Sequence, residues 1–119
     1  MNIEILEYEL KKIGFTYPDS FMKVVNLKLL NFDLWYIMDE EKVLGYLKDF
    51  SEKYPERSLV PFAQKGKDGV IACFGAGKGD KIEVVNVSGT EDIKAKSEYA
   101  DFWKWLEDAI REMINLNRV

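Results

Sequence analysis

Leu59-Val60-Pro61-Phe62-Ala63, Val70-Ile71-Ala72-Cys73-Phe74 and Ile82-Glu83-Val84-Val85-Asn86-Val87 are short runs rich in β-branched and aromatic residues, and they decide the fold. Lys65-Gly66-Lys67-Asp68-Gly69 joins the first to the second, and Gly75-Ala76-Gly77-Lys78-Gly79-Asp80-Lys81 joins the second to the third. Both connections are hairpin-length and rich in Gly and Asp, which tolerate the positive φ angles of antiparallel turns. Consecutive antiparallel strands follow. Val70 to Phe74 is apolar on both faces, so it is expected at the centre of the sheet. Pro61 has no N–H for a ladder bond, so its strand is an edge or carries a bulge there.

Outside these runs the apolar period lengthens to that of a helix. Ile3, Leu6, Leu10 and Ile13 predict a first helix over about residues 2–13, stopped by Gly14. Tyr17-Pro18-Asp19-Ser20 reads as a turn and helix start, with Pro18 in the first turn, where its missing N–H is no loss. Phe21, Val24, Val25 and Leu29 give the buried stripe of this second helix, expected to end near Leu30. Trp35-Tyr36-Ile37-Met38 is a short extended segment. Asp39 then caps a third helix, with Glu40 and Glu41 in the first turn, where the helix dipole favours negative charge. Val43, Leu44, Leu47 and Phe50 form its inner face, and Tyr54-Pro55 ends it.

Gly89 to Ser97 reads as a loop, and Ser97 or Glu98 is expected to open the last helix. There Phe102, Trp103, Trp105, Leu106, Ala109, Ile110, Met113 and Ile114 cover half the circumference, and both tryptophans are expected to feed the core. Helices, then strands, then a helix predict an α+β fold: an antiparallel sheet of short strands in the second half, flanked by N-terminal helices and a C-terminal helix. At 119 residues the chain fits a single domain spanning 1–119.

Apolar residues at 47% allow a core without staples, and 32% charged residues of both signs suit an ordinary soluble protein. The net charge of −4 opposes binding to a phosphate backbone, whose affinity comes from basic side chains displacing counterions. The lone cysteine, Cys73, fits a reducing compartment. The acidic start Asn2-Ile3-Glu4 is unlike a secretory signal, and no apolar run reaches membrane-spanning length. A cytoplasmic location is expected. Asn86-Val87-Ser88 is then a chance match to a glycosylation acceptor.

The chain contains no histidine, which removes the commonest general base and metal ligand. One Cys and no His cannot close a tetrahedral zinc site, and Asp39-Glu40-Glu41 lacks the alternating spacing of a calcium loop. Cys73 sits in the most apolar strand, where burial makes a thiol inert. Gly75-Ala76-Gly77-Lys78-Gly79-Asp80 follows a strand and contains a Gly-Lys pair. A phosphate loop would need a glycine where Ala72 stands, Ser or Thr where Gly79 stands, and a helix after it. The segment reads as a hairpin turn. No cofactor, no metal and no enzymatic activity are expected.

Five segments, taken in order, resemble the SUKH superfamily, the Smi/Knr-like domains. They are Tyr17-Pro18-Asp19-Ser20-Phe21, Leu34-Trp35-Tyr36, Tyr54 to Ala63 with its Pro61-Phe62-Ala63 strand, Asp68-Gly69-Val70-Ile71-Ala72-Cys73-Phe74, and Phe102-Trp103-Lys104-Trp105-Leu106. The resemblance spans about residues 17–110 and implies an antiparallel sheet with flanking helices. It also implies a role, since many bacterial members are immunity proteins that neutralise a cognate toxin, often a nuclease, and others are regulatory interaction modules. The family offers no shared catalytic residues to carry over.

The function expected is therefore non-catalytic protein binding. In one reading the partner is a toxin domain, and acidic side chains at element ends meet its basic surface: Asp33, Asp39, Glu40, Glu41 and Asp68. In the other the chain is a regulatory adaptor with no toxin partner. Neither nucleic acid nor membrane is expected as a partner. Tyr36 and Tyr99 are the aromatic candidates for an interface.

Overall fold

The computed structural model describes residues 1–67, 69–88 and 95–118. Helix α1 spans Ile3–Lys11, with the Asn2 side chain accepting a hydrogen bond from the Ile5 N–H. The chain then turns at Gly14, whose φ of +76° lies in the left-handed region that glycine adopts without strain. Helix α2 spans Asp19–Asn26, with Pro18 at its N-cap. It stops one turn short of Leu30 because Lys28 enters the left-handed region at φ +60°. Leu29, assigned by periodicity to a buried stripe, is consequently 48% exposed.

A two-residue strand β1 (Asn31–Phe32) and strand β2 (Trp35–Ile37) form a tight hairpin. Asp33 opens its two-residue turn at φ +71°, a conformation Asp tolerates better than most residues. Helix α3 spans Glu40–Lys53, and Asp39 caps it as expected, its carboxylate accepting from the Lys42 N–H at 3.0 Å. Strands β3 (Leu59–Lys65), β4 (Val70–Gly75), β5 (Ile82–Asn86) and β6 (Ala95–Tyr99) follow, then helix α4 (Phe102–Asn117).

The six strands form one antiparallel sheet in sequence order, β1 to β6. The α+β expectation holds, with the first hairpin added from the first half of the chain. Strand β4 is interior, flanked by β3 and β5. Strand β3 is interior too, and Pro61 is accommodated by a bulge: the register with β4 slips between Pro61 and Ala63. Partner β2 reaches only residues 63–65 of β3, so Pro61 also lies beyond the end of that ladder.

One correction concerns β6. Residues 95–97, expected in a loop, pair with β5, and neither Ser97 nor Glu98 starts a helix. Ser97 lies opposite Val84 and Glu98 opposite Glu83. The helix begins only after Asp101, whose carboxylate accepts from the Lys104 N–H at 2.8 Å. Ser97 and Asp101 are both capping residue types, and pairing with β5 settles which is used.

Strand alternation sends Trp35, Val60, Phe62, Phe74, Ile82 and Val84 to one face of the sheet, and the bulge keeps Ala63 and Lys65 on it. Helices α2 and α4 cover this face. Phe62 is the hub: its ring lies 4.5 Å from Phe74, 4.9 Å from Trp105, 5.6 Å from Phe102 and 5.7 Å from Phe21. Trp105 also meets Trp35 edge-on at 5.3 Å. Lys65 on β3 reaches Glu112 on α4 at 2.8 Å, and Asn117 at the end of α4 donates to Asp33 at 2.7 Å. The opposite face carries Ile71, Cys73, Glu83 and Val85, all buried. Helix α3 packs along β3, and α1 packs against α3.

The two tryptophans of α4 part company. Trp105 is 1% exposed and Trp103 is 50% exposed. Trp105→Ala is expected to lower unfolding free energy by about 3–5 kcal/mol, the range for a buried tryptophan. Trp103→Ala should cost less than about 1 kcal/mol, as at a surface site. Denaturant titration of both variants checks the contrast.

Tyr99 gives a pH test. Burial first, and donation of its O–H to Asp108 at 2.6 Å second, push its phenol up to about 12. The folded state thus keeps a proton that an unfolded tyrosine releases near pH 10. This contribution is complete below about pH 10 and is lost as the pH climbs to about 12. Melting temperatures across that window should fall less steeply for Tyr99→Phe than for the wild-type chain.

Candidate functional site

Of the acidic residues expected to meet a partner, Asp39, Glu40 and Glu41 adjoin at the start of α3, while Asp33 lies in the β1–β2 turn. Asp33 and Asp39 bracket β2 at its two ends. Asp33 accepts from Asn117, tying the β1–β2 turn to the end of α4. Asp39 is occupied as the α3 cap. Glu40 accepts the Asn2 N–H at 2.9 Å, and this bond holds its carboxyl below the usual carboxylate range. Glu41 is exposed on the first turn of α3. Asp68 lies outside the described residues. The aromatic candidates are engaged as well: Tyr36 accepts from Lys42 Nζ at 2.9 Å, and Tyr99 donates to Asp108.

An apolar groove of about 480 Å³ lies between α1 and α3. Ile13, Leu44, Leu47, Phe50, Pro55 and Leu59 form its floor and walls. Leu44, Leu47 and Ser51 share a face of α3 because they recur at helical spacing. Ile13 is 51% exposed, although its spacing from Leu10 assigns it to the core. The chain leaves the helix at Lys11, so the stripe of α1 runs on into the groove instead of under the sheet.

Charge sits on the rim. Lys12, Lys48 and Arg57 line the groove against a single carboxylate, Glu9. Glu9 pairs with Lys12 at 3.2 Å. Arg57 reaches from the rim to Glu83 at 3.0 Å, and the Glu83 side chain is only 7% exposed. That pair fixes the β3 approach against the second face of the sheet, since a buried carboxylate demands a partner. Glu52, one turn beyond Lys48, shares its side of α3, while Asp49 falls on a face away from the groove-lining positions.

A second cleft, of about 430 Å³, opens where α2 and α4 begin. Asp19, Asp80 and Asp101 line it together with the half-exposed Trp103. Asp101 is spent on capping α4, and Asp19 lies in the first turn of α2, where a carboxylate complements the helix dipole. A third hollow, of about 260 Å³, lies between Glu7, Tyr8, Lys11 and Tyr17. The buried Tyr17 hydroxyl finds no hydrogen-bond partner among the described residues, and burial pushes its phenol well above the ordinary tyrosine range.

Cys73 is fully buried at the centre of β4, opposite Glu83. Burial pushes its thiol far up, and the Glu83 charge adds to the shift. The reactive thiolate is therefore suppressed. Among the described residues no group of three or more Asp, Glu, Cys or His side chains is placed to hold a metal ion, and no helix is long and apolar enough to cross a membrane. Comparison with protein-family models, with curated proteins and with solved structures finds no match to this chain.

The burial of Cys73 has a direct test. The native thiol should stay silent to Ellman's reagent in neutral buffer and react in full once denaturant is added. Rapid reaction of the folded chain would show that β4 is open to solvent.

Proposed function

We propose that this chain is a protein-binding domain without catalytic activity. On its resemblance to Smi/Knr-like domains, we further read it as a cytoplasmic immunity protein that binds and neutralises a bacterial toxin. One observation carries the binding reading: the open groove between α1 and α3 is lined mainly by hydrocarbon, with Lys12 and Lys48 exposed along it. A site for a small substrate sets convergent polar groups inside an apolar pocket. A groove floored by Ile13, Leu44, Leu47 and Leu59 instead suits the apolar side chains of another protein.

A second reading, as a regulatory adaptor with no toxin partner, draws on the acids. Asp39 and Glu40 are committed to a helix cap and to the N-terminal segment. This leaves fewer free carboxylates to imitate phosphates before a nuclease than the sequence suggests.

Co-expression with the toxin encoded beside its gene separates the readings. The immunity reading expects rescue of growth and co-elution of the two chains on gel filtration. Continued killing with separate elution would remove it. An affinity-purified partner lacking any lethal activity would support the adaptor.

A further inference from the structure

From the groove's charge pattern we infer the chemistry of the segment that occupies it: an amphipathic stretch of the partner with apolar side chains flanked by Asp or Glu. The inference rests on the protein-binding reading and adds to it a location and a partner chemistry. Its basis is a local reversal of sign. The chain as a whole carries a net charge of −4. The groove lining nevertheless holds Lys12, Lys48 and Arg57 against Glu9 alone. Glu9 is neutralised by Lys12 and Arg57 by Glu83. Lys48 has no carboxylate partner among the described residues and stands at the rim beside Leu44 and Leu47. A ligand entering here meets hydrocarbon below and a free ammonium beside it.

The same geometry disfavours a basic segment. Its charges would face Lys48 and compete with Lys12 for Glu9, and like charges brought together at an interface select against the wrong partner. An acidic flank is attracted at long range, and an apolar anchor supplies the contact. Ile13 and Leu47 are the residues such anchors would cover.

The test is selection from a displayed random-peptide library against the immobilised full chain. Enriched peptides are then synthesised with a fluorescein tag and titrated by fluorescence polarisation. The expected consensus is one or more bulky apolar residues beside Asp or Glu. Ile13→Asp and Leu47→Glu should each weaken binding about tenfold or more, as loss of a central contact does. Lys48→Glu should weaken it severalfold and flatten its dependence on salt. Trp103→Ala, in the other cleft, should leave it unchanged. Circular dichroism checks that each variant folds. Ile13 is half exposed, so Ile13→Asp carries the test even if Leu47→Glu fails to fold.

A basic or neutral consensus would overturn the inference, as would binding indifferent to Ile13→Asp. Concentration-dependent doubling of the chain's apparent mass, abolished by Ile13→Asp, would assign the groove to a second copy and overturn it too. Undiminished capture of the cognate partner by Ile13→Asp retires the groove while the protein-binding reading stands. A chain that enriches no peptide and captures no partner loses both.

Discussion

Sheet and helices meet on the ring of Phe62, and the break in the β-ladder beside Pro61 keeps both halves of β3 turned toward that ring. A regular strand would send neighbouring residues to opposite faces. The one-residue slip between Pro61 and Ala63 instead puts Ala63, and Lys65 after it, on the same face as Val60 and Phe62, whose ring lies among Phe21, Phe74, Phe102 and Trp105. Sheet, α2 and α4 thus meet on a single ring that is fully buried. Offset and edge-on aromatic pairs of this kind contribute about 0.5–1.5 kcal/mol each beyond the area they bury. The position of α4, and through it the Lys65–Glu112 and Asn117–Asp33 contacts, follows from where Phe62 points.

Much of this was legible in the residue pattern, and the failures share a cause. Strands β3, β4 and β5 announce themselves because their turns need Gly and Asp. Pro61 announces its bulge because it lacks a donor. Asp39 announces a cap because two acids follow it. What local pattern cannot show is where a helix stops carrying its stripe toward the core. Ile13, Leu29 and Trp103 all sit at helical spacing from buried residues, yet each lies about half exposed. The first two lie past the helix end, and Trp103 lies on the flank of α4 beside the cleft. Strand β1 is two residues long, too short for any period to register. For β6, Ser97 carried a plausible cap signal that pairing with β5 overrode.

The acidic candidates and the groove differ in how far the sequence can reveal them. Acidic residues at element ends are visible in a sequence, but so are the tasks those ends impose. Asp33, Asp39 and Glu40 each satisfy a backbone or side-chain donor nearby. The groove, by contrast, has no local signature. It exists because α1 packs against α3 beside the start of β3, bringing Ile13, Leu47 and Leu59 together from three distant parts of the chain. Its rim runs against the overall charge, which net composition averages away. The chain is acidic as a whole, while the groove lining holds Lys12, Lys48 and Arg57 against Glu9.

The order of the strands has a consequence for biosynthesis. Every strand pairs with the one synthesised just before it, so the sheet can grow hairpin by hairpin as the chain leaves the ribosome. Its aromatic face cannot be sealed in the same way. Trp105 and Phe102 arrive only with the final helix, after every strand is already made. Until then Phe62 and Phe74 have only α2 and the Phe15 and Tyr17 rings before it to shelter them. The nascent domain passes through a stage in which its stickiest surface is also its most complete one, and docking of α4 closes that window.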